Sequence, residues 1–154
     1  MTGREEARRA ALEAIERVLN RGGENVLGEV VAILHDRLPH YSWVGIYQVD
    51  GHELVLGPWK GPQATEHVRI PVGSGVCGAA AASGRTEVVD DVGADERYLA
   101  CFPSTRSEIV VPISREGTVV GELDIDSDEP AAFGEDDRAF LERVALLISP
   151  YGAA

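Results

Sequence analysis

Two dipeptides constrain the fold of this chain more than any other feature. Asp50-Gly51 and Glu116-Gly117 each interrupt a stretch of alternating apolar and polar residues rich in Val, Ile and Tyr. That pattern is a hairpin signal, because the turn residue must accept a positive φ that glycine adopts freely. It predicts strands over 41–49 and 53–56, and a second pair over 108–113 and 119–126. A third strand is expected over 67–72 and a fourth over 86–89. Helical periodicity is confined largely to the two ends. Ala7, Ala11, Ile15 and Val18 mark a first helix, with Thr2 and Glu5 spaced as a capping box and Arg21-Gly22-Gly23 as its stop. Leu27, Val30, Val31, Leu34 and Leu38 mark a second, stopped by Pro39, and Phe140, Leu141, Val144, Ala145 and Ile148 a last one after Gly134. Hairpins pair antiparallel, so the class is α+β: an antiparallel sheet flanked by N- and C-terminal helices. The 154 residues fit one domain, with no internal repeat or low-complexity linker. The stretch 92–107 has weak periodicity and contains Pro103. It is expected to be a long irregular loop, the kind of segment in which function concentrates.

Charge narrows the partners. The formal net charge is −12 and Lys60 is the only lysine, which argues against nucleic acid, since phosphate recognition needs clustered cations. Residues 1–16 are charged and lack the apolar core of a secretory signal. No apolar run approaches the roughly 18 residues of a membrane span. The expected setting is cytoplasmic, in solution. Nine of the acids fall from Glu122 onward, opposed only by Arg138 and Arg143. Glu135, Asp136 and Asp137 suit the first turn of the last helix, but Asp124 and Asp126 need another explanation.

Gly73-Ser74-Gly75-Val76-Cys77-Gly78 matches the glycine pattern of dinucleotide-binding loops. Its surroundings are hairpins rather than βαβ units, and no acid follows at the required distance in a second parallel strand. The small residues 78–82 instead permit a helix to approach the sheet closely. Cys77 then falls in that helix's first turn, where free backbone N–H groups are expected to favour a thiolate. The only other cysteine is Cys101, in the long loop. The pair suits neither a disulfide framework nor a metal site. Spacing alone leaves two readings open, inert buried thiols or redox chemistry.

Asp124 and Asp126 are two residues apart on one strand and share a face, with Leu123 and Ile125 on the other. If Ile109, Val111 and Ile113 face the core, Glu108 joins the aspartates. A two-residue Glu116-Gly117 turn sets Glu108 opposite Ile125 and mixes polar with apolar faces; a three-residue loop sets it opposite Asp124 or Asp126. Three carboxylates on a dry face would raise one another's pKa and keep a proton available. On a wet face they would do nothing, and a divalent cation held by oxygen ligands is a further alternative.

The runs Ser42-Trp43-Val44-Gly45-Ile46-Tyr47, Val68-Arg69-Ile70-Pro71-Val72-Gly73, Gly75-Val76-Cys77-Gly78, Ala100-Cys101, Ser107-Glu108-Ile109-Val110 and Leu123-Asp124-Ile125-Asp126-Ser127 resemble the free methionine-(R)-sulfoxide reductases. The resemblance extends from the second helix to the last. It implies a single GAF domain over 1–154, usually homodimeric, that reduces free methionine-(R)-sulfoxide and is recycled by thioredoxin. Position by position, Cys101 matches the nucleophile and Cys77 a cysteine able to form a disulfide with it. Glu108, Asp124 and Asp126 match the pocket acids, and Trp43 and Tyr47 the aromatic wall. Where many members have a third, resolving cysteine this chain has His67, preceded by two extra residues in 61–66.

On this reading Cys101 attacks the sulfoxide sulfur while Asp126, held by Glu108, protonates the oxygen; Asp124 suits the substrate's amino group. No cofactor or metal is called for. Trp43 would pack on the methylthio end, or simply fill the core. The alternative is a non-catalytic GAF module that senses a small metabolite, and a third reading is a dimerisation domain.

Overall fold

The computed structural model describes residues 3–98 and 102–151. Helices α1 (Gly3–Arg21) and α2 (Val26–Arg37) precede strands β1 (Trp43–Asp50), β2 (Glu53–Lys60) and β3 (Arg69–Pro71). Helix α3 (Gly75–Ser83), strands β4 (Glu87–Val89), β5 (Ser107–Arg115) and β6 (Thr118–Ser127), and helix α4 (Glu135–Ile148) complete the order. The strands form one antiparallel sheet ordered β3-β2-β1-β6-β5-β4, which is the expected α+β class. Thr2, half of the expected capping box, lies outside the described residues. Helix α2 ends where the residue before Pro39 must turn extended: Leu38 has φ −113° and ψ 95°.

Alternation along the strands divides the sheet into two unlike faces. Val44, Ile46, Ile109, Val111, Ile113, Leu123 and Ile125 pack with Ile15, Val30, Leu34, Leu141 and Val144 from α1, α2 and α4 into the main core. Each such large side chain contributes roughly 1.5–3 kcal/mol on burial. The opposite face carries a smaller core, in which Tyr47, Leu54, Ile70 and Val110 meet Val76, Cys77 and Ala80 of α3. Helix α3 can sit this low because Gly78 lies against backbone: a Cβ there would stand 2.7 Å from the Pro71 carbonyl oxygen. The glycine-rich run is thus a turn and a close-packing device, joining antiparallel strands rather than a βαβ unit.

The strand bounds differ from expectation, most in β2 and β3. β3 is three residues shorter and β4 one, and β2 continues past Leu56 to Lys60. The extension crosses a bulge at Gly57-Pro58, since Tyr47 pairs with Leu56 whereas Gly45 pairs with Trp59. Proline is tolerated at a bulge, so an apparent strand breaker was not one. The register of the second hairpin also has a different cause. Arg115 pairs with Thr118, so the turn has two residues, Glu116 (φ 51°) and Gly117 (φ 80°). The shift comes two pairs later: Ser114 faces Val119 but Ile113 faces Gly121, leaving Val120 as an extra residue on β6. That bulge, not a three-residue loop, sets Glu108 opposite Asp126.

Candidate functional site

Strand β6 presents Glu122, Asp124 and Asp126 in a row on the α3 side, and all three are buried. Glu108 on β5 faces Asp126 across the sheet, while Val110 faces Asp124. On the other flank β1 sets Trp43 against Asp126, Gly45 against Asp124 and Tyr47 against Glu122. Above them Cys77, in the first turn of α3, brings its sulfur to 4.0 Å from Glu108 Oε2. The structure therefore unites six of the seven expected site residues: Trp43, Tyr47, Cys77, Glu108, Asp124 and Asp126. Cys101 lies outside the described residues. Glu122 was missed, although its place two residues before Asp124 on an alternating strand was the available signal.

The acids lie on a dry face, so the wet-surface alternative is excluded. Burial pushes Asp126 well above the usual carboxylate range, helped by the neighbouring Asp124 charge and moderated by hydrogen bonding with Glu108. Burial likewise raises Asp124, against hydrogen bonding with Glu108 and Cys77. Glu122 rises through burial and the Asp124 charge, eased by Cys77. A carboxyl group in such surroundings holds its proton to higher pH than a solvated one and is better placed to donate it. Cys77 reverses the expectation of a helix-stabilised thiolate. Its thiol is pushed well up by burial and then by Asp124, Glu108, Glu122 and Asp126. The few N–H groups of one short helix do not outweigh desolvation and four carboxylates at close range.

Trp43 is only 2% exposed and wedged between glycines. A Cβ on Gly45 would stand 2.4 Å from its ring, and one on Gly61 2.3 Å. Trp59, from the unforeseen part of β2, stacks on it at 6.2 Å and 12°, and Phe102 tilts against it at 6.0 Å. The Trp43 Nε1–H has no hydrogen-bond acceptor among the described residues. Tyr47 donates its hydroxyl to the His67 carbonyl at 2.7 Å, so it walls the site with its ring while fixing the segment that holds His67.

A cavity lies between Cys77, Glu108 and Asp124 on one side and Tyr47, His67, Ile70 and Val76 on the other. It has room for the centre of a single water-sized sphere, about 10 Å³. An amino-acid ligand therefore has to widen it. Sulfur and carboxylate oxygens of Cys77, Glu108 and Asp124 lie within 4.8 Å of one another.

This architecture, a six-stranded antiparallel sheet with three helices on one face and a short helix over a buried acidic row on the other, is that of a GAF-like α+β domain. The GAF domain model matches residues 23–150, and the chain belongs to that family. Among its relatives is the Escherichia coli protein named free methionine-R-sulfoxide reductase, 38% identical over 118 residues, covering 77% of this chain and 70% of the relative. The solved free methionine-R-sulfoxide reductase of Neisseria meningitidis, in complex with its substrate, superposes with a TM-score of 0.87 at 41% identity, over 93% of this chain and 86% of that one. A putative GAF sensor protein from Burkholderia vietnamiensis superposes with a TM-score of 0.89 at 32% identity, over 99% and 96%. No helix among the described residues is long and apolar enough to cross a membrane.

Proposed function

We propose that this chain, one domain over 1–154, reduces free methionine-(R)-sulfoxide to methionine. The observation that carries the reading is the convergence of the Cys77 thiol with Glu108 and Asp124 around one cavity walled by Tyr47, with Asp126 buried beside them across from Glu108 and Trp43. The similarity to named reductases on both sequence and structure supports it. Cys101 is the nucleophile: its sulfur attacks the sulfoxide sulfur, the S–O oxygen leaves with it, and methionine is released as Cys101 becomes a sulfenic acid. Asp126, which burial keeps protonated, donates to the oxygen as it leaves, with Glu108 positioning it. Cys77 then attacks the sulfenic sulfur, giving a disulfide and water, and thioredoxin returns both cysteines to thiols. Because Cys77 rests as a thiol, it must lose its proton in that step. Asp124 receives the free amino group and Trp43 the methylthio end, which favours a free amino acid over a peptide residue. The working unit is a cytoplasmic homodimer.

With thioredoxin recycling, the purified protein should consume the R epimer of free methionine sulfoxide and spare both the S epimer and peptide-bound substrate. Chromatographic quantitation of methionine checks this; no product with a strong dithiol reductant, or equal use of both epimers, would refute it. The similarity to a GAF sensor protein supports a second reading, in which the pocket binds a metabolite without turnover. Saturable methionine sulfoxide binding with no methionine released, even in the fully reduced protein, would favour that reading.

A further inference from the structure

The cavity beneath α3 is too small for an amino acid but has the size of a single ion, about 10 Å³. Three side chains that can ligate a metal converge on it. The Cys77 sulfur and carboxylate oxygens of Glu108 and Asp124 all lie within 4.8 Å of one another, and the sulfur stands 4.0 Å from Glu108 Oε2. Tetrahedral Zn²⁺ holds sulfur at about 2.3 Å and oxygen at about 2.0–2.2 Å, which spaces its ligand atoms by roughly 3.5 Å. The three atoms therefore need to draw together by only about 1 Å. A second observation points the same way. Asp124 lines the cavity and is 2% exposed, yet its Oδ1 has no hydrogen-bond partner among the described residues. No lysine or arginine among those residues lines the cavity, while Glu122 and Asp126 lie buried in the same row. Buried acids without a cationic side chain are costly, and a bound cation offsets that cost.

We propose that Cys77, Glu108 and Asp124 form a Zn²⁺ site, with a water in the fourth position, and that the bound ion closes the pocket to substrate. The donor set selects the metal: a thiolate beside two carboxylates favours borderline-soft Zn²⁺ over hard Mg²⁺. Binding exchanges a proton for the ion. The Cys77 S–H bond breaks, the Zn–S bond forms, and the proton leaves to solvent with no change of oxidation state. The ion then holds the carboxylate assigned to the substrate's amino group and the thiol assigned to resolution. Zn²⁺ would thus arrest the reductase reversibly while protecting Cys77 from oxidation. That consequence rests on the reductase reading; the binding of the ion does not.

Binding is tested without substrate, in reduced Cys101→Ser protein, where Cys77 is the sole thiol. Equilibrium dialysis should find one tightly held Zn²⁺ per chain, undisturbed by a large excess of Mg²⁺. Co²⁺, used as a spectroscopic substitute, should give a sulfur-to-metal charge-transfer band that Zn²⁺ abolishes and Cys77→Ser removes. Asp124→Asn should weaken Zn²⁺ binding by at least about tenfold. Absence of the charge-transfer band in the Cys101→Ser protein, whose three ligands are unaltered, would overturn the site however the other variants fold. Zn²⁺ binding unchanged by both Cys77→Ser and Asp124→Asn would also overturn it, by placing the metal on surface acids. In reduced wild-type protein, stoichiometric Zn²⁺ should stop single-turnover methionine release and a chelator should restore it. Full release from the Zn²⁺-loaded protein would overturn the blocking role. No release from the metal-free protein would instead refute the reductase reading, while the dialysis and Co²⁺ results still decide the metal site.

Discussion

Gly45→Ala tests how tightly the site's aromatic wall is held. The added methyl would meet the Trp43 ring at 2.4 and 2.6 Å, whereas carbon atoms rest at about 3.5–4.0 Å. The ring must therefore retreat by about 1 Å, and it has nowhere to go. Gly61 presses on its other edge, while Trp59 stacks on it and Phe102 leans against it. Gly45 has no left-handed φ, so the penalty is steric rather than conformational. Overpacking of a well-filled site costs roughly 1–3 kcal/mol, and the absence of free room puts this case at the upper end. For a chain of this length, about 2–3 kcal/mol lowers Tm by about 4–12 °C. Thermal unfolding by circular dichroism measures the loss, and the near-UV tryptophan signal reports the displaced ring. KM for free methionine sulfoxide should rise in the same variant. A double-mutant cycle isolates the cause: in a Trp43→Leu background, Gly45→Ala should cost less than about 0.5 kcal/mol. An equal cost in both backgrounds would refute the account, as would a parent Tm unmoved by the alanine.

Asp126→Asn preserves shape but removes the donated proton, and should slow single-turnover methionine release by about 10²- to 10⁴-fold; retention of the full rate would assign the proton to another group. Cys101→Ser should abolish methionine release, whereas Cys77→Ser should allow one turnover and then stall with Cys101 as a sulfenic acid or a mixed disulfide. Mass spectrometry of the wild-type protein after one turnover without reductant should show a peptide pair joined through Cys77 and Cys101. Away from the site, Asp137 is held below the usual carboxylate range because hydrogen bonds from His40 and Tyr41 and the charges of His40 and Arg8 outweigh its burial. A lowered folded-state pKa means that this contribution is fully present above the unfolded value near 3.9. It is lost as pH falls through the lower folded value. Asp137→Asn should therefore lower Tm at pH 7 and flatten the acid limb of a Tm-against-pH curve, while an unchanged acid limb would show that the network carries no pH-dependent stability.

Several elements were legible because their signals are local. The helix faces follow from three- and four-residue spacing, and both turn positions follow from an acid-glycine pair between alternating strands. Asp124 and Asp126 share a face for the same reason, since strand alternation needs no knowledge of the rest of the chain. β2 was cut short because Gly57-Pro58 resembles a stop, and only pairing with β1 turns it into a bulge. The Val120 bulge was equally hidden: no residue type marks it, and it exists because the apolar sides of β5 and β6 must both reach the main core.

By itself, then, the sequence determined which segments are helical, where the chain reverses, the α+β class and the shared face of Asp124 and Asp126, all properties of neighbours along the chain. Tertiary structure alone decided how those acids behave. Helix α3, seated through Gly78, takes the row out of water and places Cys77 above it, which raises the pKa of three ordinary carboxyl groups and turns a helix-start cysteine into a suppressed thiol. Desolvation and charge repulsion act through space between residues far apart in sequence, so no spacing along the chain records their strength.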